Sequence, residues 1–237
     1  MQTSFLTDKV QDAINLLIEQ EPNDIYYGAT SGGKDSIAIM ELAKRAGVKV
    51  EWHCHLTTVD PPELLKFIKQ HHPEVIFDRP EINMWKLIIK NGVPPTRRMR
   101  YCCRYFKENG GNGRTIITGV RKKESRNRSK RNAVECISDR KAIIVNPIID
   151  WSDADVWEFI IKNHLPYCEL YNEGFKRLGC IGCPQGRNKQ MKKQFERWPY
   201  FERLYLKAFQ KMVDVRIQKG LKTTWKTGQD VMDWWLK

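Results

Sequence analysis

Residues 24–36 read DIYYGATSGGKDS, and this stretch decides the fold. It predicts a short strand over 24–29, a glycine turn, and a helix from about Lys34 to Arg45 that Gly47 closes. Glycines allow a tight turn that presents backbone N–H groups, the helix N-terminus carries roughly half a positive charge, and Lys34 adds a full one. The stretch therefore predicts a site for an oligophosphate or a sulfate-phosphate anhydride.

Strand and helix patterns continue to alternate on the C-terminal side of this stretch. Further strands are expected over 48–55, 74–77, 114–119 and 142–146, and further helices over 61–71, 81–90 and 152–163. Ser152 followed by Asp155 resembles a capping box at the start of the last helix. Strands that alternate with helices of this length indicate βαβ units. The fold class expected is α/β, with a parallel, Rossmann-like sheet.

The composition changes after about residue 185, and the C-terminal residues form a helical, basic and aromatic segment. We expect an α/β domain over 1–185 and a helical extension over 186–237 packed on it. Aromatic and Met side chains recur every three or four positions on one face of a helix that starts at Pro199 and ends at Gly220: Trp198, Phe201, Tyr205, Phe209 and Met212. This stripe favours packing over base stacking, and the tryptophans over 225–235 are expected to dock on the protein.

Lysine and arginine exceed aspartate and glutamate by 41 to 28, which gives a formal charge of +13 and a pI of about 9.4. Such an excess suggests a polyanionic partner, with nucleic acid among the alternatives to a merely basic enzyme. No apolar run approaches the ~20 residues that cross a bilayer, so no membrane partner is expected. Residues 1–20 suggest an amphipathic helix instead of a signal peptide, and a cytoplasmic location is expected.

The loop departs from the phosphate loop of kinases and GTPases at one position. The pattern G-x-x-x-x-G-K ends in Asp35, which lacks the hydroxyl that would hold magnesium. The string from Ser31 to Ser36 instead resembles the PP-loop of the adenine nucleotide α-hydrolase superfamily. That resemblance implies an adenine nucleotide, with Mg²⁺ if it is ATP, held by Ser31, Gly32, Gly33, Lys34, Asp35 and Ser36.

Four of the seven cysteines form two pairs, Cys102-Cys103 and Cys180-x-x-Cys183, with 76 residues between them. Four thiolates from two segments suit zinc or an iron–sulfur cluster. The adjacent pair favours a 4Fe–4S cluster, because zinc sites usually use the C-x-x-C turn on both sides. Zinc, or buried thiols without metal, are the alternatives.

The cysteine pairs and three further segments resemble the cluster-bearing APS/PAPS reductases. The segments are Ile117–Arg121 followed by Ser125 and Arg128, Val145–Trp151 followed by Asp155-Val156-Trp157, and Leu165–Tyr167 with Glu173–Phe175. The likeness covers roughly residues 24–185. It implies that Gly119 and Arg121 join the nucleotide pocket, that Lys34, Arg121 and Arg128 are the catalytic residues, and that Lys107 lies near the cluster.

The reaction stays open at this point. The first hypothesis is reduction of APS or PAPS to sulfite with a thioredoxin-like thiol donor. The family usually carries its attacking cysteine near the C-terminus, whereas this sequence has no cysteine after Cys183, and Cys136 is a weak substitute. The second hypothesis is therefore ATP-dependent, pyrophosphate-releasing sulfur transfer to tRNA or DNA. A non-catalytic nucleotide-binding or DNA-binding regulator is the third.

Overall fold

The structure is a computed structural model that describes residues 3–186 and 188–237, with side chains from residue 6 onward. Within these ranges six strands are found: β1 (Tyr26–Ala29), β2 (Val50–His55), β3 (Ile76–Asp78), β4 (Thr115–Ile117), β5 (Val134–Ile137) and β6 (Ala142–Val145). The α-helices of the same ranges are α1 (Thr3–Glu19), α2 (Lys34–Ala46), α3 (Pro62–His71), α4 (Met84–Asn91), α5 (Tyr101–Phe106), α6 (Asp153–Lys162), α7 (Asn188–Arg197), α8 (Pro199–Gln218) and α9 (Gly228–Trp235). No described helix is long and apolar enough to cross a membrane.

The strands form one sheet in the order β3-β2-β1-β4-β6-β5. All neighbouring strands run parallel except β5, which is antiparallel to β6. The predicted α/β class and parallel sheet are confirmed. The chain moves outward from β1 to β3 and then returns to the other side of β1 with β4. Ligands of open parallel sheets bind at the carboxyl ends of strands where the order reverses in this way, and residues 30–36 lie at that point.

Contacts divide the chain into two compact units. The first unit comprises the chain up to His55, Pro62–Asp78 and Gly110–Leu178, and the second unit comprises Leu56–Pro61, Arg79–Asn109 and Gly179–Lys237. The predicted domains over 1–185 and 186–237 follow the composition, whereas the units combine segments that are distant in sequence. Those domain boundaries stay a prediction.

The first unit contains all six strands of the sheet. In the same unit, helix α2 packs against both α1 and α6. Its core contains fully buried side chains of sheet and helices, such as Tyr26, Ile39, Ile117 and Phe159. The Tyr26 hydroxyl donates to the carbonyl of Leu17 over 2.8 Å, so the core tyrosine keeps a polar partner.

The second unit is helical, and α8 is its centre, packed against α4, α7 and α9. Tyr205, Phe209 and Met212 of the predicted stripe are buried there, as is Trp198 just before the helix. The Trp235 ring lies 4.9 Å from the Tyr205 ring, and its indole N–H donates to the Pro95 carbonyl over 2.7 Å. The stripe therefore serves packing within this unit.

Several predicted boundaries were wrong for identifiable reasons. Helix α4 starts at Met84 and not at Glu81, because the Asn83 side chain caps it by accepting from the Lys86 N–H. No strand was expected over residues 134–137, but they form β5, the edge strand that pairs with β6. No helix was expected at the first cysteine pair, but Cys102 and Cys103 lie in the helix α5.

The capping box at the start of α6 has the predicted geometry. The Ser152 hydroxyl accepts from the Asp155 N–H over 3.1 Å, and the Asp155 carboxylate accepts from the Ser152 N–H over 2.6 Å. Loss of an N-cap hydroxyl costs about 1 kcal/mol.

We expect the substitution Ser152→Ala to lower the free energy of unfolding by about 1 kcal/mol, because one N–H of the first turn loses its acceptor. Urea unfolding followed by circular dichroism measures the change. Ser129→Ala is the control, since Ser129 lies on an exposed turn outside any α-helix and its hydroxyl donates only to Arg126. Equal losses in both variants would contradict the capping role.

Candidate functional site

The loop between β1 and α2 has the tight turn that its glycines predict. Gly32 has a φ of +67°, and a Cβ atom there would lie 2.5 Å from the Ile68 side chain. The Ser31 N–H donates to the Ser36 hydroxyl over 3.1 Å, which closes the loop on the first turn of the helix. A glycine is therefore required at position 32 by both backbone conformation and space.

Helix α2 begins immediately after this loop, and its N-cap residue supplies no side-chain hydrogen bond. Its N-cap residue is Gly33, in an extended conformation. The Lys34 N–H donates to the Tyr171 hydroxyl over 2.9 Å, and burial raises the pKa of that tyrosine. An uncapped helix N-terminus is a site that suits an anion, because its N–H groups and dipole both favour negative charge.

Two cations are buried beside the helix start. Lys34 and Arg121 are only 4% and 3% exposed. The Arg121 Nε donates to Asp35 Oδ1 over 2.6 Å, and its Nη2 donates to Asp153 Oδ1 over 3.1 Å. The Lys34 Nζ lies 3.1 Å from the same Asp153 oxygen. Two buried positive charges thus share a carboxylate whose side chain is 65% exposed to solvent.

Gly119 brings the end of β4 against the start of α2. A Cβ atom at this position would lie 3.1 Å from the Asp35 carbonyl carbon and 3.2 Å from the Asp35 Cβ. The close approach leaves no room for a side chain without displacing the helix start. Gly119 and Arg121 are thus brought together with the residues of the loop.

Arg128 lies apart from this group. Its guanidinium pairs with Glu124, whose carboxylate also accepts from the Arg121 N–H over 3.0 Å. Arg128 therefore reaches Arg121 only through Glu124. Sequence reasoning missed Asp153 and Tyr171, because no motif or spacing relates residues so far along the chain to Lys34.

The four paired cysteines line one cavity, which lies within the second unit. The other side chains at its wall are mainly apolar, among them Met84, Pro95, Phe106 and Tyr205, with Thr57 and Lys107 as polar members. All seven cysteines of the chain are free thiols.

Each cysteine pair has its own local support. Cys102 and Cys103 lie in the first turn of α5. Cys180 and Cys183 flank Gly182, which has a φ of +69° and donates its N–H to Gln194 Oε1 over 2.9 Å. The Tyr205 hydroxyl fixes the same turn by donating to the Ile181 carbonyl over 3.0 Å.

The pKa values of the thiols at this cavity are shifted in opposite directions, and burial raises that of Cys183. The pKa of Cys103 is lowered to about 5, first because the Cys102 thiol donates a hydrogen bond to it and then because Arg100 does so. The same pairing and burial raise the pKa of Cys102. The pKa of Lys107 is raised, chiefly by the charge of Cys180. Lys107 also lines the cavity, and its place beside a cluster stays a prediction.

The four thiols are the donors that this cavity offers to a metal. Among residues 3–186 and 188–237, no group of three or more His, Cys, Asp or Glu side chains is arranged to hold a metal ion. The donor set is nevertheless four thiols at one cavity with two cations beside them, which in chemical type fits an iron–sulfur cluster.

Comparison with known proteins identifies the family. A family model described as phosphoadenosine phosphosulfate reductase domain matches residues 26–186. The chain belongs to this family. The matched range contains the loop, Gly119, Arg121 and all four paired cysteines.

The chain is also similar to individual proteins, among them named reductases. An adenosine 5'-phosphosulfate reductase of Oceanobacillus iheyensis is 27% identical over 209 residues, covering 82% of this chain and 86% of its own. An uncharacterized protein of Methanocaldococcus jannaschii is 29% identical over 214 residues, or 81% of this chain, yet the chain spans only 44% of that protein. The crystal structure of a phosphoadenylyl-sulfate reductase from Candida auris has the same fold, with a TM-score of 0.55 at 19% identity, covering 72% of this chain and 87% of that one.

Reductase-family membership agrees with a nucleotide-binding PP-loop fold. The predicted resemblance to the PAPS reductase family is confirmed. The roles of individual residues in binding and catalysis stay predictions.

Asp153 and Asp150 offer a matched pair for testing the buried charges. Both carboxylates are about two-thirds exposed, at 65% and 68%, and both pair with a cation. The cations that pair with Asp153 are buried, whereas the Lys122 side chain that pairs with Asp150 is 38% exposed. We expect Asp153→Asn to lower the free energy of unfolding by about 1–3 kcal/mol, because two buried cations lose a shared partner.

Asp150→Asn is the control and should change stability by less than about 0.5 kcal/mol, as is usual for exposed pairs. Denaturant unfolding at low ionic strength measures both variants. Indistinguishable stabilities would mean that Asp153 does not balance the buried cations.

Proposed function

We propose that this chain is an iron–sulfur enzyme that binds an adenylyl sulfate, APS or PAPS, and reduces its sulfate group to sulfite with thiols. The observation that carries the proposal is the pair of buried cations, Lys34 and Arg121, at the uncapped start of α2. Burial strengthens their interaction with an anion, because solvent screens them little.

The nucleotide is held by the loop and by the two cations. The backbone N–H groups of Gly33, Asp35 and Ser36 contact the phosphate, since those of Ser31 and Lys34 already donate within the protein. Lys34 and Arg121 contact the phosphate–sulfate bridge through their side chains. Arginine suits this role because its planar fork matches two oxygens of an oxyanion. An incoming anion competes with the exposed Asp153 carboxylate for these cations. Arg128 has a supporting role, since it pairs with the Glu124 that holds the Arg121 backbone.

Cys102, Cys103, Cys180 and Cys183 hold a 4Fe–4S cluster in this proposal. The support is that the four thiols line one cavity, that Arg100 helps to lower the pKa of Cys103, and that Lys107 lines the same cavity. When bound, such a cluster supplies a redox-active centre whose potential depends on nearby hydrogen bonds and charges. The chain's own contribution is to orient the thiolates and to offset their charge.

The reduction requires two electrons, which a dithiol partner protein of the thioredoxin kind supplies. One thiolate attacks the sulfate sulfur, the sulfur–oxygen bond to the phosphate breaks, and AMP or its 3′-phosphate leaves. A second thiolate of the dithiol attacks the first sulfur, sulfite is released, and a disulfide forms. Lys34 and Arg121 stabilise the negative charge that develops on the leaving phosphate.

An assay of sulfite formation tests the reaction. Anaerobically reconstituted protein with APS or PAPS and reduced thioredoxin should release sulfite. Lys34→Met should reduce the rate at least about 100-fold, as loss of one charge-stabilising donor does in other enzymes. Lys44→Met is the control, because Lys44 lies on the exposed side of the same helix.

Sulfite at the background level from protein with an intact cluster would overturn the proposal. Pyrophosphate release from ATP that tRNA or DNA stimulates would instead support ATP-dependent sulfur transfer. Thermal shifts with APS, PAPS and ATP identify the bound nucleotide independently of turnover, because a ligand that binds only the folded state raises the unfolding midpoint.

The cluster has a separate test. Cys102→Ser should remove most iron and sulfide from anaerobically purified protein and bleach its brown colour. Cys136→Ser is the control, since Cys136 is exposed on strand β5. Colourless wild-type protein that contains stoichiometric zinc would refute the cluster and leave the four-thiol site as a zinc site.

A further inference from the structure

The net positive charge of the chain is confined to one of its two units. The second unit contains 21 of the 41 lysines and arginines but 8 of the 28 aspartates and glutamates. The entire formal charge of +13 therefore lies on the second unit, and the first unit, which binds the nucleotide in the proposed function, is neutral. A small anionic substrate at Lys34 and Arg121 does not account for an excess elsewhere.

Exposed cations of the second unit follow the outer faces of its helices. Helix α8 exposes Arg203, Lys207 and Lys211, which are four positions apart and so share one face. Its opposite face is buried through Tyr205, Phe209 and Met212. Helix α7 repeats the arrangement, with Lys189, Lys192 and Lys193 exposed and Met191 and Phe195 buried. Core packing thus fixes the cations on the solvent side.

The segment that carries the first cysteine pair is basic as well. Arg97, Arg98, Arg100 and Arg104 are all exposed. Arg97 is held in position, because its guanidinium donates to the carbonyls of Pro184 and Gly186 beside the second cysteine pair. Positive charge therefore surrounds both cysteine pairs within this unit.

Aromatic side chains are exposed among these cations. Tyr200 is 60% exposed, and the Arg203 guanidinium lies 5.9 Å from the centre of its ring. Trp234 is 47% exposed and packs edge-on against Trp225, whose ring lies 5.3 Å away. Lys222, Lys226 and Lys237 are exposed in the same C-terminal part of the unit. Proteins that bind single-stranded nucleic acid combine cations for the backbone with aromatic rings for the bases.

We propose that the second unit binds single-stranded nucleic acid through the outer face of α8, with Arg203, Lys207 and Lys211 contacting phosphates and Tyr200 stacking on a base. An acidic protein would also be attracted by the positive charge. Binding of an acidic protein, however, would not explain why aromatic rings are exposed among the cations. The proposal concerns binding and does not depend on sulfite formation.

Fluorescence anisotropy with labelled single-stranded RNA and, in a second arm, single-stranded DNA of the same sequence tests the proposal. We expect binding that weakens steeply with salt, because each neutralised phosphate releases counterions. The triple variant Arg203→Gln, Lys207→Gln, Lys211→Gln should bind at least about 10-fold more weakly. Because each phosphate contact contributes ~0.7 to the slope of log K against log salt, the loss of three contacts should reduce the magnitude of that slope by about 2.

The control is the triple variant Lys44→Gln, Lys66→Gln, Lys162→Gln, which removes as much charge from exposed positions of the first unit. Its affinity should change less than about 2-fold, because charges outside the contact act only through the overall field. Tyr200→Ala should weaken binding while leaving the salt slope unchanged, since stacking releases no counterions. Circular dichroism confirms that each variant is folded.

Three results would overturn the proposal. These are no binding of either strand at low salt, equal losses in the two triple variants, and competition by poly-glutamate as effective as that by unlabelled nucleic acid. The last result would identify an acidic protein as the partner of this surface. Preference for RNA over DNA, or the reverse, identifies the kind of strand that the surface accepts.

Discussion

Two buried positive charges at the start of α2 constrain the whole first unit. Removing a cation from water is costly unless a carboxylate and hydrogen bonds compensate for it. Asp35 and Asp153 provide that compensation for Lys34 and Arg121. Lys34 and Asp35 begin α2 after β1, Arg121 follows β4, and Asp153 begins α6. The ion pairs therefore connect segments that are far apart in sequence.

The same requirement explains the glycines around the site. Gly32 adopts a backbone conformation that other residues rarely adopt, and Gly119 lets the end of β4 approach Asp35 to contact distance. A larger residue at 119 would press on Asp35, the carboxylate partner of Arg121, so the packing and the electrostatics of the site depend on each other. The Asp153 carboxylate that pairs with both cations is itself largely exposed to solvent.

The sequence was sufficient for features that are local in the chain. The turn after β1, the Ser152 capping box and the parallel sheet all follow from residues a few positions apart, and the structure has each of them. The cysteine pairs were predicted to act together, and they do line one cavity. The spacing could not reveal that Cys102 and Cys103 lie on a short helix, because six residues give too little periodicity to identify one.

Features that depend on distant segments could not be predicted in the same way. Tyr171 reaches the Lys34 backbone from 137 positions away, and nothing in its surroundings in the sequence distinguishes it from other tyrosines. The second unit likewise combines Arg79–Asn109 with the C-terminal segment, so a boundary drawn from composition alone could not separate the units. Composition is averaged along the chain, whereas a unit is defined by contacts in space.

The two proposals assign to the two units different physical means of attracting a negative partner. In the first unit, net charge is zero and two cations act at short range, where burial limits screening and orientation gives selectivity for a small anion. In the second unit, exposed cations spread over helix faces act at longer range and are screened by salt within about 10 Å. A small nucleotide requires the first arrangement, because it offers few charges and must be held in one orientation. A polymer suits the second arrangement, because many weak contacts sum along its length.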